Sequence, residues 1–219
     1  MNLTFYGHPF SSYCQKALIA LYENDTPFDF RVLGLEDRAA GEELAALWPM
    51  KRFPVLVDGG RAVIESSIII EHLALHHPGP VRLIPNDPKA ALEVRFLDRF
   101  FDNYVMTPQQ KLVFDVLRLE TERDARGVAD ARAMLEAAYR WLENHMVDRQ
   151  WAAGDAFTLA DCAAAPALFY ADWSHAIDDR FPLVKAYRAR LNARPSFAKA
   201  IDGGRPYRHF FPLGAPDRD

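Results

Sequence analysis

The chain has 219 residues, half of them apolar and 26% charged, and carries a net charge of −4 at pH 7. That length accommodates one large domain or two small ones, with enough apolar material for a core. The slight negative balance implies no cationic surface, so neither nucleic acid nor an anionic membrane is expected as a partner.

In chain order, residues 3–6 read as a short strand, and residues 28–33 as a second in which Phe28, Phe30 and Val32 alternate with Asp29 and Arg31. Between them, Ser11 or Ser12 can cap a helix whose apolar positions include Tyr13, Ala17, Leu18 and Leu21. Further on, Val55-Leu56-Val57 and Arg61-Ala62-Val63-Ile64 flank Asp58-Gly59-Gly60, a strong hairpin signal. Ser66 opens a helix through Ile69, Ile70 and Leu73. The order is strand, helix, strand, helix, hairpin, helix. A crossover helix makes the first two strands parallel and the hairpin adds an antiparallel pair. This predicts a mixed four-stranded sheet with helices on its faces.

From Pro78-Gly79-Pro80 to Asn86-Asp87-Pro88 the chain holds four prolines and one glycine and reads as a linker. Beyond it only helical patterns follow: Leu92, Phe96, Phe100 and Tyr104, then Leu135, Ala138, Leu142 and Met146. Thr158 and Asp161 form an Asp variant of the capping box before an alanine-rich stretch from Leu159 to Phe169, which Pro166 is expected to bend. The expected architecture is α/β plus all-α: residues 1–78 as an α/β domain, 79–87 as a linker and 88–219 as an all-helical bundle.

Compartment follows from what the chain lacks. No apolar run reaches the roughly 20 residues of a membrane span. Met1-Asn2-Leu3-Thr4-Phe5-Tyr6 has neither the basic start nor the long apolar stretch of a signal peptide. The only cysteines, Cys14 and Cys162, are too far apart to frame a disulfide scaffold. A soluble cytoplasmic protein is expected.

Several features carry chemistry. Ser11-Ser12-Tyr13-Cys14 follows the first strand at a helix start, where N–H groups and the helix dipole favour an anion. A serine hydroxyl there can donate to a thiolate, and it can equally serve as a plain N-cap. Arg52-Phe53-Pro54-Val55 places a proline at the start of a strand, an ordinary position that acquires a ligand role when the bond is cis. Glu65-Ser66-Ser67 begins the next helix. Its N–H groups suit a carboxylate and Glu65 suits an ammonium, although simple capping by Ser66 explains the same residues. The Gly154…Thr158-x-x-Asp161 cap is structural on either reading.

With these features in place, the whole chain resembles a glutathione S-transferase. Ser-x-x-Cys after a strand, Phe53-Pro54-Val55, Glu65-Ser66 and Gly154…Thr158-x-x-Asp161 stand in that family's order and spacing. Ser11-Ser12-Tyr13-Cys14 is also similar to the Cys-Pro-Tyr-Cys site of glutaredoxins, with Ser11 at the attacking position. Trp48-Pro49-Met50-Lys51-Arg52-Phe53-Pro54 is similar to the zeta-class Asn-Pro-Met-Lys-Gln-Val-Pro segment, and Leu83-Ile84-Pro85-Asn86-Asp87-Pro88 to the family's usual link into its helical domain.

The resemblance implies a thioredoxin-like first domain with Pro54 cis, and glutathione as co-substrate without a metal. It implies that the Phe53 backbone pairs with the cysteinyl unit, that Glu65 and Ser66 hold the γ-glutamyl end, and that Lys51 or Arg52 meets the glycine carboxylate. It also implies a homodimer along the third and fourth helices.

Ser11, Ser12 and Tyr6 compete to activate the thiol. Ser11 fits the serine-type (theta and zeta) register without a gap. Tyr6 stands near the place used by tyrosine-type transferases but one residue out of register, and such a slip turns a strand side chain to the other face. Lowering a thiol pKa from about 8.5 by two units takes about 2.7 kcal/mol. A hydrogen bond to a charged group supplies roughly 1.5–3 kcal/mol, and a helix end roughly 0.3–1 kcal/mol. One hydroxyl at a helix start is therefore sufficient.

Cys14, inside the first helical turn, is expected to be a buried and inert thiol. His72 and His76 stand four apart on one predicted helix, a metal-like spacing without an evident third ligand, and read as a solvated helix end. Of the aromatics Phe96, Phe100, Phe101, Tyr104 and Phe114, Tyr104 and Phe114 are the candidates for an electrophile pocket. At helical spacing such residues also serve as core or dimer interface. The tail Tyr207-Arg208-His209-Phe210-Phe211 is a candidate cover for the same cleft.

The expected activity is transfer of the glutathione thiolate to an electrophilic small molecule. The alternatives are glutathione-dependent cis–trans isomerisation of the maleylacetoacetate type, a non-catalytic glutathione-binding stress protein, and thiol–disulfide exchange through Cys14.

Overall fold

The computed structural model describes residues 3–34 and 37–219. The first compact unit runs to Ile84 and takes in Pro195–Arg205, and the second holds Pro85–Arg194 and Pro206–Asp219.

In the first unit, β1 (Leu3–Gly7), α1 (Ser12–Glu23), β2 (Phe28–Val32), α2 (Arg38–Leu47), β3 (Val55–Asp58), β4 (Arg61–Ile64) and α3 (Ser66–His76) follow one another. The sheet order is β2-β1-β3-β4, with β1 parallel to β2 and β3 antiparallel to both β1 and β4. This is the expected mixed sheet. Leu3 and Phe5 bury on the α1 side, where Phe5 meets Phe28 and Phe30 edge-on at 5.9 and 5.4 Å. Tyr6 points the other way, into a cluster with Ala40 and Leu44 of α2. Val32 departs from the expected alternation: it is exposed, because β2 is an edge strand. Gly59 (φ 55°) and Gly60 (φ 86°) make the left-handed turn between β3 and β4, and glycine alone adopts that pair freely. The Phe53–Pro54 peptide is cis.

The sequence pattern assigns residues 195–205 to the helical half. Here α9 (Pro195–Gly204) belongs with the first unit, packed on α1. Ser196 bonds Glu23, and the Lys199 ammonium stands 4.1 Å from the Tyr22 ring centroid. A periodicity argument sees that α9 is a helix but not which layer receives it.

The second unit contains α4 (Pro88–Phe100), a π-helical stretch Phe101–Met106, α5 (Thr107–Val116), α6 (Ala125–His145), α7 (Leu159–Ser174) and α8 (Pro182–Asn192). Its centre is α7, buried from Leu159 to Trp173 and continuing through Pro166. The Thr158–Asp161 capping box forms as expected. The Asp161 carboxylate also accepts from Ala152 N at 2.8 Å and from the Tyr187 hydroxyl at 2.6 Å. The aromatic stripe differs from a core face: Phe100 is buried, while Leu92, Phe96 and Tyr104 are exposed, and Val94, Leu97 and Phe101 fill the interior. The π-helical turn is wider than an α-turn, so it shifts the inward face at Tyr104. In the tail, Phe211 is buried against Tyr170 and Trp173 of α7, and Phe210 faces solvent.

Candidate functional site

Strand register gathers the sequence candidates of the first unit. Tyr6 pairs with Val55, and Val55 pairs with Ile64. The end of β1, the start of β3 and the end of β4 therefore share one end of the sheet. The chain leaving β1 reaches Ser11 at the start of α1, the chain arriving at β3 passes through Lys51-Arg52-Phe53-Pro54, and the chain leaving β4 passes Glu65 into α3.

Ser11 is the N-cap of α1, in extended backbone, and its Oγ accepts from Cys14 N at 3.4 Å. The cap uses a lone pair, so the same hydroxyl can donate its proton elsewhere. Capping and thiol chemistry are thus compatible at Ser11. Ser12 is the first helical residue and half-buried.

Cys14 is fully buried, and its Sγ accepts from His8 N at 3.4 Å. Burial pushes its thiol up to about 12, against smaller opposing effects from Ser11 and His8. Exchange chemistry requires an accessible, low-pKa thiol, and Cys14 is neither.

The Tyr6 hydroxyl donates to Glu43 Oε2 at 3.0 Å, and the same carboxylate takes Arg31 in a two-pronged pair at 2.9 and 3.1 Å. Partial burial first, and then Glu43, raises the Tyr6 pKa. Its proton is committed on the α2 face of the sheet, as the one-residue slip requires.

Lys51, Arg52 and Phe53 are exposed, and Pro54 is buried. Lys51 has the left-handed φ of 52°, which turns the chain into the proline segment. Among the described residues none hydrogen-bonds to the Phe53 main chain, leaving one donor and one acceptor at the head of β3 for an extended ligand.

Ser66 is not the cap of α3. Glu65 holds that position with a left-handed φ of 73° and no side-chain cap bond, and Ser66 is the buried first residue. A non-glycine residue in this region is uncommon and costs roughly 1–3 kcal/mol, so it persists where the surroundings enforce it. The result is a helix start that the Glu65 side chain does not cap, with the Glu65 carboxylate exposed beside it.

Tyr104 lies in the π-helical stretch and Phe114 on α5, both exposed, with the Tyr104 ring 5.6 Å from Phe100.

Three residues escaped the sequence reading. His8 accepts from Phe10 N at 3.1 Å through Nδ1, which puts its proton on Nε2, and burial lowers its pKa. Lys16 is buried on α1 and donates to Ser67 Oγ at 2.9 Å, joining α1 to the start of α3. Gly7 lies so near Cys14 that a Cβ there would stand 2.6 Å from Sγ. A lysine inside the apolar run of α1 was the one available signal.

Comparison with known proteins shows the family. Residues 5–81 match the family profile of the glutathione S-transferase N-terminal domain and residues 100–195 that of its C-terminal domain. The chain is 28% identical over 220 aligned positions to a probable maleylacetoacetate isomerase of Vibrio cholerae, covering 94% of this chain and 98% of that one. A glutathione S-transferase of Methylobacterium radiotolerans, solved with glutathione sulfonate, superposes with a TM-score of 0.79 at 32% identity over 92% of this chain and 95% of that one. Another, from Methylobacillus flagellatus with glutathione bound, has the same fold at a TM-score of 0.82 and 24% identity, covering 91% of this chain and 98% of that one.

Proposed function

Since the chain belongs to the glutathione S-transferase family, we propose that Ser11, at the start of α1, holds the glutathione thiol as a thiolate for attack on an electrophilic small molecule. The observation that carries this reading is the convergence of the Ser11 hydroxyl, the unbonded Phe53 main chain and the uncapped start of α3 at one end of the sheet. Phe53 pairs with the cysteinyl unit. The α3 N–H groups at Ser66 take the γ-glutamyl carboxylate, with Glu65 on its ammonium. Lys51 or Arg52 answers the glycine carboxylate. Pro54, buried beneath Phe53, fixes where that backbone stands. Tyr104 and Phe114 are assigned to an apolar electrophile.

The test is Ser11→Ala assayed with glutathione and a chromogenic aryl halide. Loss of a hydrogen bond to a charged sulfur is expected to lower kcat about 10- to 100-fold, with little change in the KM for glutathione. Full turnover would remove Ser11 from the role.

A second reading, glutathione-dependent isomerisation, is favoured by the Vibrio cholerae relative and by Pro49-Met50-Lys51. Turnover of maleylacetoacetate by the wild-type chain would establish it, and none would dismiss it.

Self-association through α3 and α4 is supported by exposed Ile68 and Leu75 on the first helix and Leu92 and Phe96 on the second. A cytoplasmic setting is supported by Cys14 and Cys162, which are buried as thiols rather than joined in a disulfide. No helix among the described residues is long and apolar enough to cross a membrane.

A further inference from the structure

β3 ends at Asp58, immediately before the Gly59-Gly60 turn, and α3 ends at His76. The His72–His76 spacing pairs the wrong histidines. Position 77 stands about 140° around a continuing helix from position 72, which would turn the two side chains apart. The chain leaves the helix at His77, in non-helical backbone with φ −134° and ψ 53°, and this swings its ring back over the hairpin. His72 Nε2 then lies 2.9 Å, and His77 Nε2 2.7 Å, from the same oxygen, Asp58 Oδ2. One donor atom from each residue falls within 4.8 Å of the others. All three side chains are mostly covered yet none is sealed off, at 12%, 22% and 13% exposure for His72, His77 and Asp58, which leaves an edge of the cluster open to solvent.

We propose that Asp58, His72 and His77 form a binding site for a divalent transition-metal ion, with zinc as its occupant. Two imidazoles and one carboxylate are a borderline donor set that suits zinc, cobalt or nickel, whereas calcium and magnesium require mostly oxygen ligands. Three protein ligands leave a fourth tetrahedral position for water. Ligands at about 2.1 Å from a tetrahedral ion stand about 3.4 Å apart. The His–Asp separations need to open by only about 0.6 Å, within reach of small side-chain rotations. Each neutral ring presents its Nε2 lone pair to the metal and carries its proton on Nδ1. His76, whose ring centroid lies 4.5 Å from that of His72 with the two planes tilted by 45°, stands beside the site and is not a ligand. The ion would pin the end of α3 to the β3–β4 hairpin.

The test uses the full chain without a histidine tag, stripped with a chelator and titrated with Co²⁺ alone, followed by visible absorption and then by displacement with Zn²⁺. One saturable, zinc-displaceable cobalt ion per chain is expected. His72→Ala, His77→Ala and Asp58→Asn should each weaken it about 100-fold or more, and His76→Ala should leave it unchanged. Near-UV circular dichroism confirms that each variant remains folded. Absence of saturable binding to the folded wild type at millimolar metal overturns the proposal. So does a site lost with His76→Ala and kept in a folded His77→Ala variant.

Discussion

Gly7 at the end of β1 and Cys14 in the first turn of α1 are in contact through the space a side chain would fill: a Cβ on Gly7 would meet Cys14 Sγ at 2.6 Å and Phe5 Cε1 at 3.0 Å. The helix that carries Ser11 can approach the strand only because position 7 has no side chain. Gly7→Ala is expected to cost about 1–3 kcal/mol as an overpacked core substitution, lowering Tm by roughly 2–12 °C in a chain of this size. Cys14→Ala added to Gly7→Ala should recover part of that loss, because it removes the clashing sulfur. Thermal melts of the two variants check both statements.

Cys14 gives the protein a pH dependence. Burial raises its thiol to about 12 from an ordinary value of 9.0. The folded pKa lies above the unfolded one, so the stabilisation is complete below pH 9 and is lost as pH rises toward 12. Over that window the unfolded chain releases the proton and the folded chain keeps it. Stability should fall by about 1.4 kcal/mol per pH unit from this group. Urea midpoints measured from neutral pH into that window should show a steeper decline for wild type than for Cys14→Ala. Native Cys14 should also resist alkylation that proceeds readily in urea.

Tyr6 and Ser11 can be separated by kinetics. Because the Tyr6 hydroxyl donates to Glu43, Tyr6→Phe should leave kcat within about twofold and cost at most about 1 kcal/mol for one partly exposed hydrogen bond. A fall in turnover equal to that of Ser11→Ala would transfer the thiol to Tyr6.

Asp161 is the hub of a buried polar cluster in the helical unit. Its carboxylate is buried and accepts from Ala152 N, Tyr187 Oη, Thr158 N and Thr158 Oγ1. Asp161→Ala would strand several buried donors at about 1–3 kcal/mol each. A loss of at least about 3 kcal/mol is expected, against about 1 kcal/mol for Tyr187→Phe. Denaturant titrations of the two variants test the ranking.

His8 should titrate below its ordinary 6.5, because burial disfavours the imidazolium. Its depressed folded pKa contributes stability above pH 6.5 that is lost as pH falls through the folded value. NMR should find the Nε2–H tautomer at pH 7, since Phe10 N occupies Nδ1. A His8 pKa at or above 6.5 would contradict the burial.

What the sequence determined by itself was local. Alternation and turn chemistry located β1, the β3–β4 hairpin and the order of the first unit, and the Thr158–Asp161 spacing located the start of α7, because caps, turns and strand alternation are decided within a few residues. Ser11 as a cap was legible for the same reason. Tertiary structure decided what depends on residues far apart in the chain. It returned α9 to α1, left Leu92 and Phe96 on the surface, gave the cap of α3 to Glu65 through a left-handed φ, and matched His72 with His77 across Asp58. Helical periodicity names a face but not its neighbour, and a side chain beyond the last turn points where the chain leaves the helix rather than where the period would send it.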